Sequence, residues 1–155
     1  MSGRFAEIEA LLKGGVGSAF PSASLSFGQS DSPTTLVVGS ASESTWFDIA
    51  SLTKALSTTL LTMRLWEQRR LDLDEEVLPG VQLVHLLSHS AGFPACFPPL
   101  WAAEQGLLDS PSCSTRQVVL DTVRSTLREP AGIRSIYSDL GFIWLGQLLE
   151  DRGGA

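Results

Sequence analysis

Ser51 and Lys54 are the two residues whose types and spacing most directly suggest chemistry. They stand three positions apart, where the extended stretch 46–50 gives way to a helical pattern, so their side chains should share one face of a helix. A serine hydroxyl is a weak nucleophile until a base takes its proton. A lysine can be that base if burial lowers its pKa, because desolvation disfavours the charged ammonium. The pair therefore predicts a serine that is activated by an amine.

A second polar group, Tyr137-Ser138-Asp139, directly precedes the last predicted helix. A tyrosine oxygen can relay a proton between a serine, a lysine and a leaving group. A nearby ammonium would stabilise the phenolate form of Tyr137, and the side-chain oxygen of Asp139 could hold the lysine in place. The two groups together offer a nucleophile, a candidate base, a proton relay and an orienting residue.

The elements that would position these residues begin with a helix and a β-hairpin. Apolar spacing predicts a helix over 5–13, which a pair of glycines ends. Alternating apolar and serine residues predict a half-buried strand over 20–28, and a second apolar run predicts its partner over 34–39 after the polar turn 29–33. Two strands alone do not make a stable sheet, so they must pack on helices or pair with strands outside this sequence.

Helices are predicted for the remainder of the chain. A long helix is expected over 51–70, and further helices over 81–88, over 100–108, from 114 to 128 or 129, and over 139–150. A hairpin followed by a run of helices is an α+β pattern rather than an alternating βαβ pattern. The expected apolar face of the long helix consists of Leu52, Ala55, Leu56, Thr59, Leu60, Met63 and Trp66.

The composition is that of a globular protein and argues against several classes of function. An apolar fraction of 43% and a charged fraction of 18% in 155 residues fit one domain with a sizeable core. The net charge of −6 argues against a nucleic-acid partner. No secretory signal and no stretch that could span a membrane are apparent, so a cytoplasmic location is expected. Cys96 and Cys113 are expected to be free thiols, although one bridge between them stays open.

Each candidate residue also has a purely structural interpretation. Ser51 and Asp139 could be only helix caps, and Tyr137 could be an amphipathic core residue. His85 and His89 have the spacing of zinc ligands on a helix, but a leucine follows His85 where the H-E-x-x-H motif needs glutamate. Packing histidines are the favoured interpretation, and neither a metal nor a cofactor is predicted.

The chain carries five sequence blocks in a fixed order: FDIASLTK at 47–54, RLDLD at 70–74, HLLSHSAGFP at 85–94, PAG at 130–132 and YSDLGF at 137–142. This succession resembles the serine beta-lactamase-related family of class C beta-lactamases, D-alanyl-D-alanine carboxypeptidases and related esterases. The resemblance implies an α+β, beta-lactamase/transpeptidase-like fold, with a helical region and an N-terminal β-hairpin that belongs to an incomplete antiparallel sheet.

The resemblance also implies a role for each candidate. Ser51 matches the acylated nucleophile, Lys54 the amine beside it, and Tyr137 the tyrosine that shuttles the proton. The backbone N–H of Ser51 would supply one oxyanion donor. The implied reaction is acyl transfer, in which the serine attacks an ester, amide or lactam carbonyl and water then hydrolyses the acyl-enzyme.

Two departures from the family pattern modify this expectation. Asp139 stands where the lactamase members usually carry asparagine; a carboxylate cannot donate to a substrate carbonyl, and it would favour a charged Lys54. An esterase or peptidase-like enzyme that acts on a small-molecule or peptide substrate is therefore expected rather than a true beta-lactamase. The family's third element, a strand bearing Lys/His-Thr/Ser-Gly, has no match in residues 1–155.

Residues 1–155 are accordingly interpreted as the N-terminal portion of a single domain, which C-terminal strands or a partner chain would complete. The competing hypothesis is a non-catalytic module of the same fold, truncated or dependent on a partner, that kept the helices and lost the chemistry. Weak or no activity is expected from these residues alone, because the third element would supply the other oxyanion donor.

Overall fold

The computed structural model of the protein describes residues 2–95, 115–126 and 128–154. The chain divides into two compact units, Met1–Asp48 and Ile49–Ala155. The described residues combine helices with two small antiparallel hairpins, which confirms the predicted α+β class. The helix predicted over 100–108 and both cysteines lie outside the described residues.

The N-terminal unit consists of a helix and a two-stranded antiparallel sheet. Helix α1 spans Ser2–Gly15, strand β1 spans Ser22–Gln29 and strand β2 spans Ser32–Gly39. The register pairs Ser22 with Gly39 and Gln29 with Ser32, so a two-residue turn joins the strands. The predicted hairpin is confirmed, but its turn is shorter than the expected one over 29–33.

Side chains alternate between the two faces of this hairpin. Ala23, Leu25 and Phe27 are partly buried, whereas the serines between them are exposed. The ring of Phe27 lies 5.2 Å from that of Phe5, which belongs to α1. The strand is thus half-buried, as its period of two residues predicts.

The second unit begins with irregular helix, which corrects the prediction of one continuous α-helix over 51–70. Ala50 has a left-handed backbone, with φ of 43°, and the N–H groups of residues 52–54 each donate to the carbonyl three residues back. A π-helical segment, Lys54–Thr59, follows, and regular helix α2 spans only Leu60–Glu67. Such departures from α-helical bonding are frequent at functional sites.

The apolar face predicted for this helix is largely exposed in the described structure. Leu56 and Met63 are 60% and 56% exposed. The buried residues of α2 are Leu65 and Thr62, whose hydroxyl donates to the carbonyl of Thr58 at 2.8 Å. An apolar stripe shows that a face is suited to burial, but the neighbouring elements decide which face is covered.

A small hairpin replaces the first turn of the helix predicted over 81–88. Strands β3, Glu76–Leu78, and β4, Val81–Gln82, pair antiparallel across a Pro-Gly turn. Helix α3 then spans Leu83–Leu87. Its start is fixed by Gln82 and His85, since the imidazole Nδ1 accepts the Gln82 backbone N–H at 3.1 Å.

Two longer helices complete the second unit. Helix α4 spans Thr115–Ser125, and helix α5 spans Asp139–Gly153, three residues beyond the predicted end. Within the described residues, no helix is long and apolar enough to cross a membrane. The core that holds these elements together is formed by Leu65, Leu71, Leu78, Val81, Leu83, Leu86, Ala91, Phe93, Leu120, Val123, Leu140, Trp144, Leu145 and Leu149.

Candidate active site

Ser51 lies at a tight turn at the entrance to the helical region. The backbone N–H of Lys54 donates to the Ser51 carbonyl at 3.1 Å, which closes a 3₁₀-type turn. Side chains three residues apart are nearly eclipsed in such a turn. As a result, the Lys54 ammonium donates to Ser51 Oγ at 3.3 Å. The predicted meeting of hydroxyl and amine is therefore present, although the turn is tighter than the expected α-helical one.

The loop before α5 brings the other two candidates to this pair. Lys54 Nζ lies 2.6 Å from Asp139 Oδ1, and Ser51 and Lys54 are the side chains whose hydrogen bonding lowers the pKa of the Tyr137 phenol. The ammonium also lies 5.2 Å from the centroid of the Tyr137 ring and 5.8 Å from that of Phe142. The structure thus brings together all four residues that the sequence singled out, although Lys54 and Asp139 stand 85 positions apart in the chain.

Lys54 is held in its charged form. The hydrogen bond to Asp139 raises the pKa of Lys54 and outweighs the opposing effect of burial, and the bond to Tyr137 adds to the increase. The expectation that burial would lower this pKa is therefore wrong, because the carboxylate compensates for the lost solvation. The expectation that Asp139 would favour a charged lysine agrees with the raised pKa.

Tyr137 is the group whose acidity is increased. Hydrogen bonds from Ser51 and then from Lys54 lower the pKa of its phenol, because both stabilise the phenolate. An ammonium has three N–H donors and no lone pair, and those of Lys54 face Ser51, Tyr137 and Asp139. The Ser51 hydroxyl can therefore donate its own proton to the Tyr137 oxygen when that oxygen is a phenolate.

The segment that carries Tyr137 is fastened to the loop after α3. The two stretches, 88–92 and 129–138, run alongside each other, and donors of the second bond to acceptors of the first along their length. Buried backbone polar groups need such partners, so this bonding fixes the path of the loop. The bonds run from Glu129 N–H to Gly92 O at 3.0 Å, Gly132 N–H to Ser90 O at 2.8 Å, Ile136 N–H to His89 O at 2.9 Å and Ser135 Oγ to Ser88 O at 2.9 Å.

Replacement of Gly92 by alanine is expected to destabilise the fold by about 3 kcal/mol or more. Gly92 has φ of +80°, and a Cβ at this position would overlap the carbonyl of Glu129. Gly80→Ala is a matched control, because Gly80 has φ of +72° but open space around it, and about 1 kcal/mol is expected there. Urea unfolding of both variants measures the difference; equal losses would show that the close approach to Glu129 contributes nothing.

The two histidines that the sequence singled out, His85 and His89, accept hydrogen bonds from backbone N–H groups. His85 and His89 each use Nδ1 to accept a backbone N–H, from Gln82 and Ser138 respectively, as packing histidines do. Ser138 stands at the N-cap of α5, but its side chain makes no capping bond, and its buried Oγ has no partner among the described residues. The sequence missed the contact of His89 with the segment that carries Tyr137, for which the only signal was a polar residue within the block at 85–94.

Comparison with known proteins identifies the family. The model of the Beta-lactamase family matches residues 8–154, nearly the whole chain. The chain belongs to the beta-lactamase family. It is also 28% identical over 127 residues to the N-acetylmuramyl-L-alanine amidase of Bacillus subtilis, and this match covers 71% of the chain and 28% of that relative.

Two solved structures share the fold of this beta-lactamase family chain. A D-stereospecific amidohydrolase from Streptomyces superposes with a TM-score of 0.79 at 19% identity, over 97% of this chain and 50% of its own. A penicillin binding protein from Bacillus halodurans superposes with a TM-score of 0.62 at 26% identity, over 85% of this chain and 45% of its own. The predicted beta-lactamase/transpeptidase-like fold is confirmed, and the chain spans half or less of the length of these relatives.

Proposed function

We propose that this protein is a serine hydrolase in which Ser51 is acylated and Tyr137 moves the proton. The observation that carries the proposal is the cluster of three groups: Lys54 Nζ lies 3.3 Å from Ser51 Oγ and 5.2 Å from the centroid of the Tyr137 ring, and hydrogen bonding with Ser51 and Lys54 lowers the pKa of the phenol. A hydroxyl with a base in contact, and a third group that tunes that base, is the arrangement of an activated nucleophile. Membership of the beta-lactamase family supports the same reaction class.

In this mechanism Tyr137 is the general base and Lys54 is its electrostatic partner. Lys54 cannot take the proton from Ser51 while it is an ammonium, and its raised pKa keeps it in that form. The phenolate of Tyr137 therefore accepts the Ser51 proton as Oγ bonds to the substrate carbonyl carbon. The backbone N–H of Ser51 would donate to the oxyanion that forms.

The same phenol then completes the cycle. When the tetrahedral intermediate collapses, the bond from carbon to the leaving nitrogen or oxygen breaks, and Tyr137 gives its proton to that atom. Water then attacks the acyl-Ser51 ester and transfers a proton to the phenolate, after which the proton returns to Ser51 Oγ as the acid departs. Asp139 takes no proton in these steps; it holds the Lys54 ammonium at 2.6 Å.

The substrate class we propose is a peptide-like amide or an ester rather than a beta-lactam antibiotic. Asp139 presents carboxylate oxygens, which accept hydrogen bonds and cannot donate one to a substrate carbonyl. The relative from Bacillus subtilis is named an amidase of N-acetylmuramyl-L-alanine, which supports an amide substrate. A non-catalytic module of this fold is not favoured, because Lys54 remains close to each of the other three polar side chains, Ser51, Tyr137 and Asp139.

We further propose that elements beyond these 155 residues complete the domain, with the second oxyanion donor and a wall of the substrate site. The chain spans 50% of the amidohydrolase structure that it matches over 97% of its own length. The exposed apolar residues of the helix that carries Lys54 offer a surface for those elements to cover. These residues are Leu52, Leu56, Leu60, Leu61, Met63 and Trp66.

Covalent labelling tests the assignment of Ser51 directly. The complete gene product, treated with a fluorophosphonate probe, should gain one probe mass, and peptide mass spectrometry should locate it on Ser51. Ser57→Ala is a matched control, since Ser57 is exposed in the π-helical segment Lys54–Thr59 three residues beyond Lys54; this variant should label like the unmodified protein. Labelling that persists in Ser51→Ala, or its absence from folded protein, would refute the proposal.

A further inference from the structure

We propose that His89 is a positioning residue, whose imidazole sets the place of Tyr137 against Ser51 and Lys54. This inference rests on the proposed function, because it concerns the group that moves the proton there. His89 belongs to the loop after α3, and none of its atoms is assigned a part in bond making or breaking. It acts through the loop that carries the phenol.

Three contacts connect His89 with both sides of Tyr137. Its carbonyl accepts the backbone N–H of Ile136 at 2.9 Å, and its Nδ1 accepts the backbone N–H of Ser138 at 3.1 Å. Its ring lies 4.4 Å from the Tyr137 ring, centroid to centroid, with 36° between their planes. The residues before and after Tyr137 are thus held by one histidine, and the phenol ring packs on the imidazole between them.

The remaining contacts of the imidazole orient it. Its ring lies 4.9 Å from the ring of Phe142, which belongs to α5. The charged groups that face it are Lys54 from the π-helical segment and Asp139 from α5. Rings packed on two sides and a bonded Nδ1 leave the imidazole little freedom to turn, and a group held this way can transmit its position to the loop.

The protonation state of His89 fits this role. Burial lowers the pKa of His89, and the charge of Lys54 lowers it further. At neutral pH the imidazole is therefore uncharged, and because Nδ1 accepts the Ser138 N–H, the proton stands on Nε2. An imidazolium would carry a proton on Nδ1 and lose this bond.

The left-handed backbone conformation of His89 limits which substitutions are suitable as tests. His89 has φ of 56°, in the left-handed region that asparagine tolerates better than most residues. Asparagine also places an acceptor oxygen where the imidazole has Nδ1, so His89→Asn should keep the bond to Ser138, whereas His89→Ala removes it. His85 offers a matched control, since its Nδ1 accepts the Gln82 backbone N–H at the same 3.1 Å.

The test measures the pKa of the Tyr137 phenol rather than the rate of hydrolysis. Difference absorbance titrations of the complete gene product, each paired with the same protein carrying Tyr137→Phe, isolate the phenolate signal. In His89→Ala the pKa of Tyr137 should rise back toward about 10, because the phenol leaves its donors; in His89→Asn and His85→Ala it should stay below that value. Where turnover is measured, kcat of His89→Ala should fall about 10²-fold, with KM changed far less.

The outcomes separate this inference from the proposed function. A Tyr137 pKa that is equal in His89→Ala and the unmodified protein would overturn the positioning role even if Ser51 is labelled. Conversely, a shifted pKa in a protein whose Ser51 is never acylated would sustain the positioning role while the hydrolase fails. If His89→Ala does not fold, nitrogen NMR of the unmodified protein decides: a protonated Nδ1 on His89 at neutral pH would refute the inference.

Discussion

Replacement of Ser51 by alanine is expected to lower kcat by about 10⁴-fold or more while the protein stays folded. The acceptor of the acyl group is removed, and neither Lys54 nor Tyr137 can replace it, because one is a charged ammonium and the other is the proton carrier. Ser51 is exposed and outside the core, so the loss should be catalytic rather than structural. Hydrolysis of p-nitrophenyl esters and of short peptides by the complete gene product measures it.

The control for this prediction is again Ser57→Ala, which shortens a side chain of the same type in the adjoining π-helical segment. Its kcat should stay within about twofold of the unmodified value, because exposed substitutions away from the site rarely matter. Substrate binding to Ser51→Ala, followed by calorimetry, should persist. A Ser51→Ala protein that retains most of its turnover would show that the nucleophile lies elsewhere.

Replacement of Tyr137 by phenylalanine is expected to lower kcat by about 10² to 10⁴-fold, the usual contribution of a positioned acid and base. The ring contact with His89 can persist, since phenylalanine keeps the ring, so only the phenol oxygen is lost. Circular dichroism and the melting temperature should therefore change little. The comparison isolates the proton relay from the packing of the loop.

The pH dependence of kcat/KM gives this variant a second signature. The lowered pKa of Tyr137 means that its phenolate, the base form, increases as pH rises and forms at lower pH than that of an ordinary tyrosine. The raised pKa of Lys54 means that its ammonium persists beyond the ordinary lysine value of 10.5 and is lost only above it. In the unmodified protein, kcat/KM should thus reach a plateau between the pKa of Tyr137 and the pKa of Lys54. The acid limb of the profile should disappear in Tyr137→Phe. An unchanged acid limb would assign the base to another group.

The sequence predicted the outline of the site because its signals are local. The spacing of Ser51 and Lys54 places both side chains on one side of a turn, whether that turn is α-helical or 3₁₀, and the structure has the tighter form. The charge on Asp139 likewise needs only proximity to favour a charged lysine, and the raised pKa of Lys54 agrees with it.

Tertiary contacts determined what the sequence could not. The Tyr137 phenol reaches the Lys54 amine because residues 129–138 form hydrogen bonds with the loop at 88–92. No sequence pattern in either segment predicts that pairing. The sign of the Lys54 pKa shift depended on whether burial or the Asp139 carboxylate was stronger, and the separation of 2.6 Å decided for the carboxylate.

The buried face of α2 likewise separates what the sequence predicts from what tertiary contacts decide. The apolar pattern of residues 52–66 told which side chains favour burial, yet only Thr62 and Leu65 are buried in α2. The sequence thus determined the N-terminal hairpin, the approximate positions of the helices and the identity of the reactive groups, because these follow from short-range sterics and side-chain chemistry. Only the tertiary structure decided which helix faces pack together and which protonation states Lys54 and Tyr137 favour. It also decided that His89 holds the loop of the phenol. All of these depend on contacts between segments far apart in the chain.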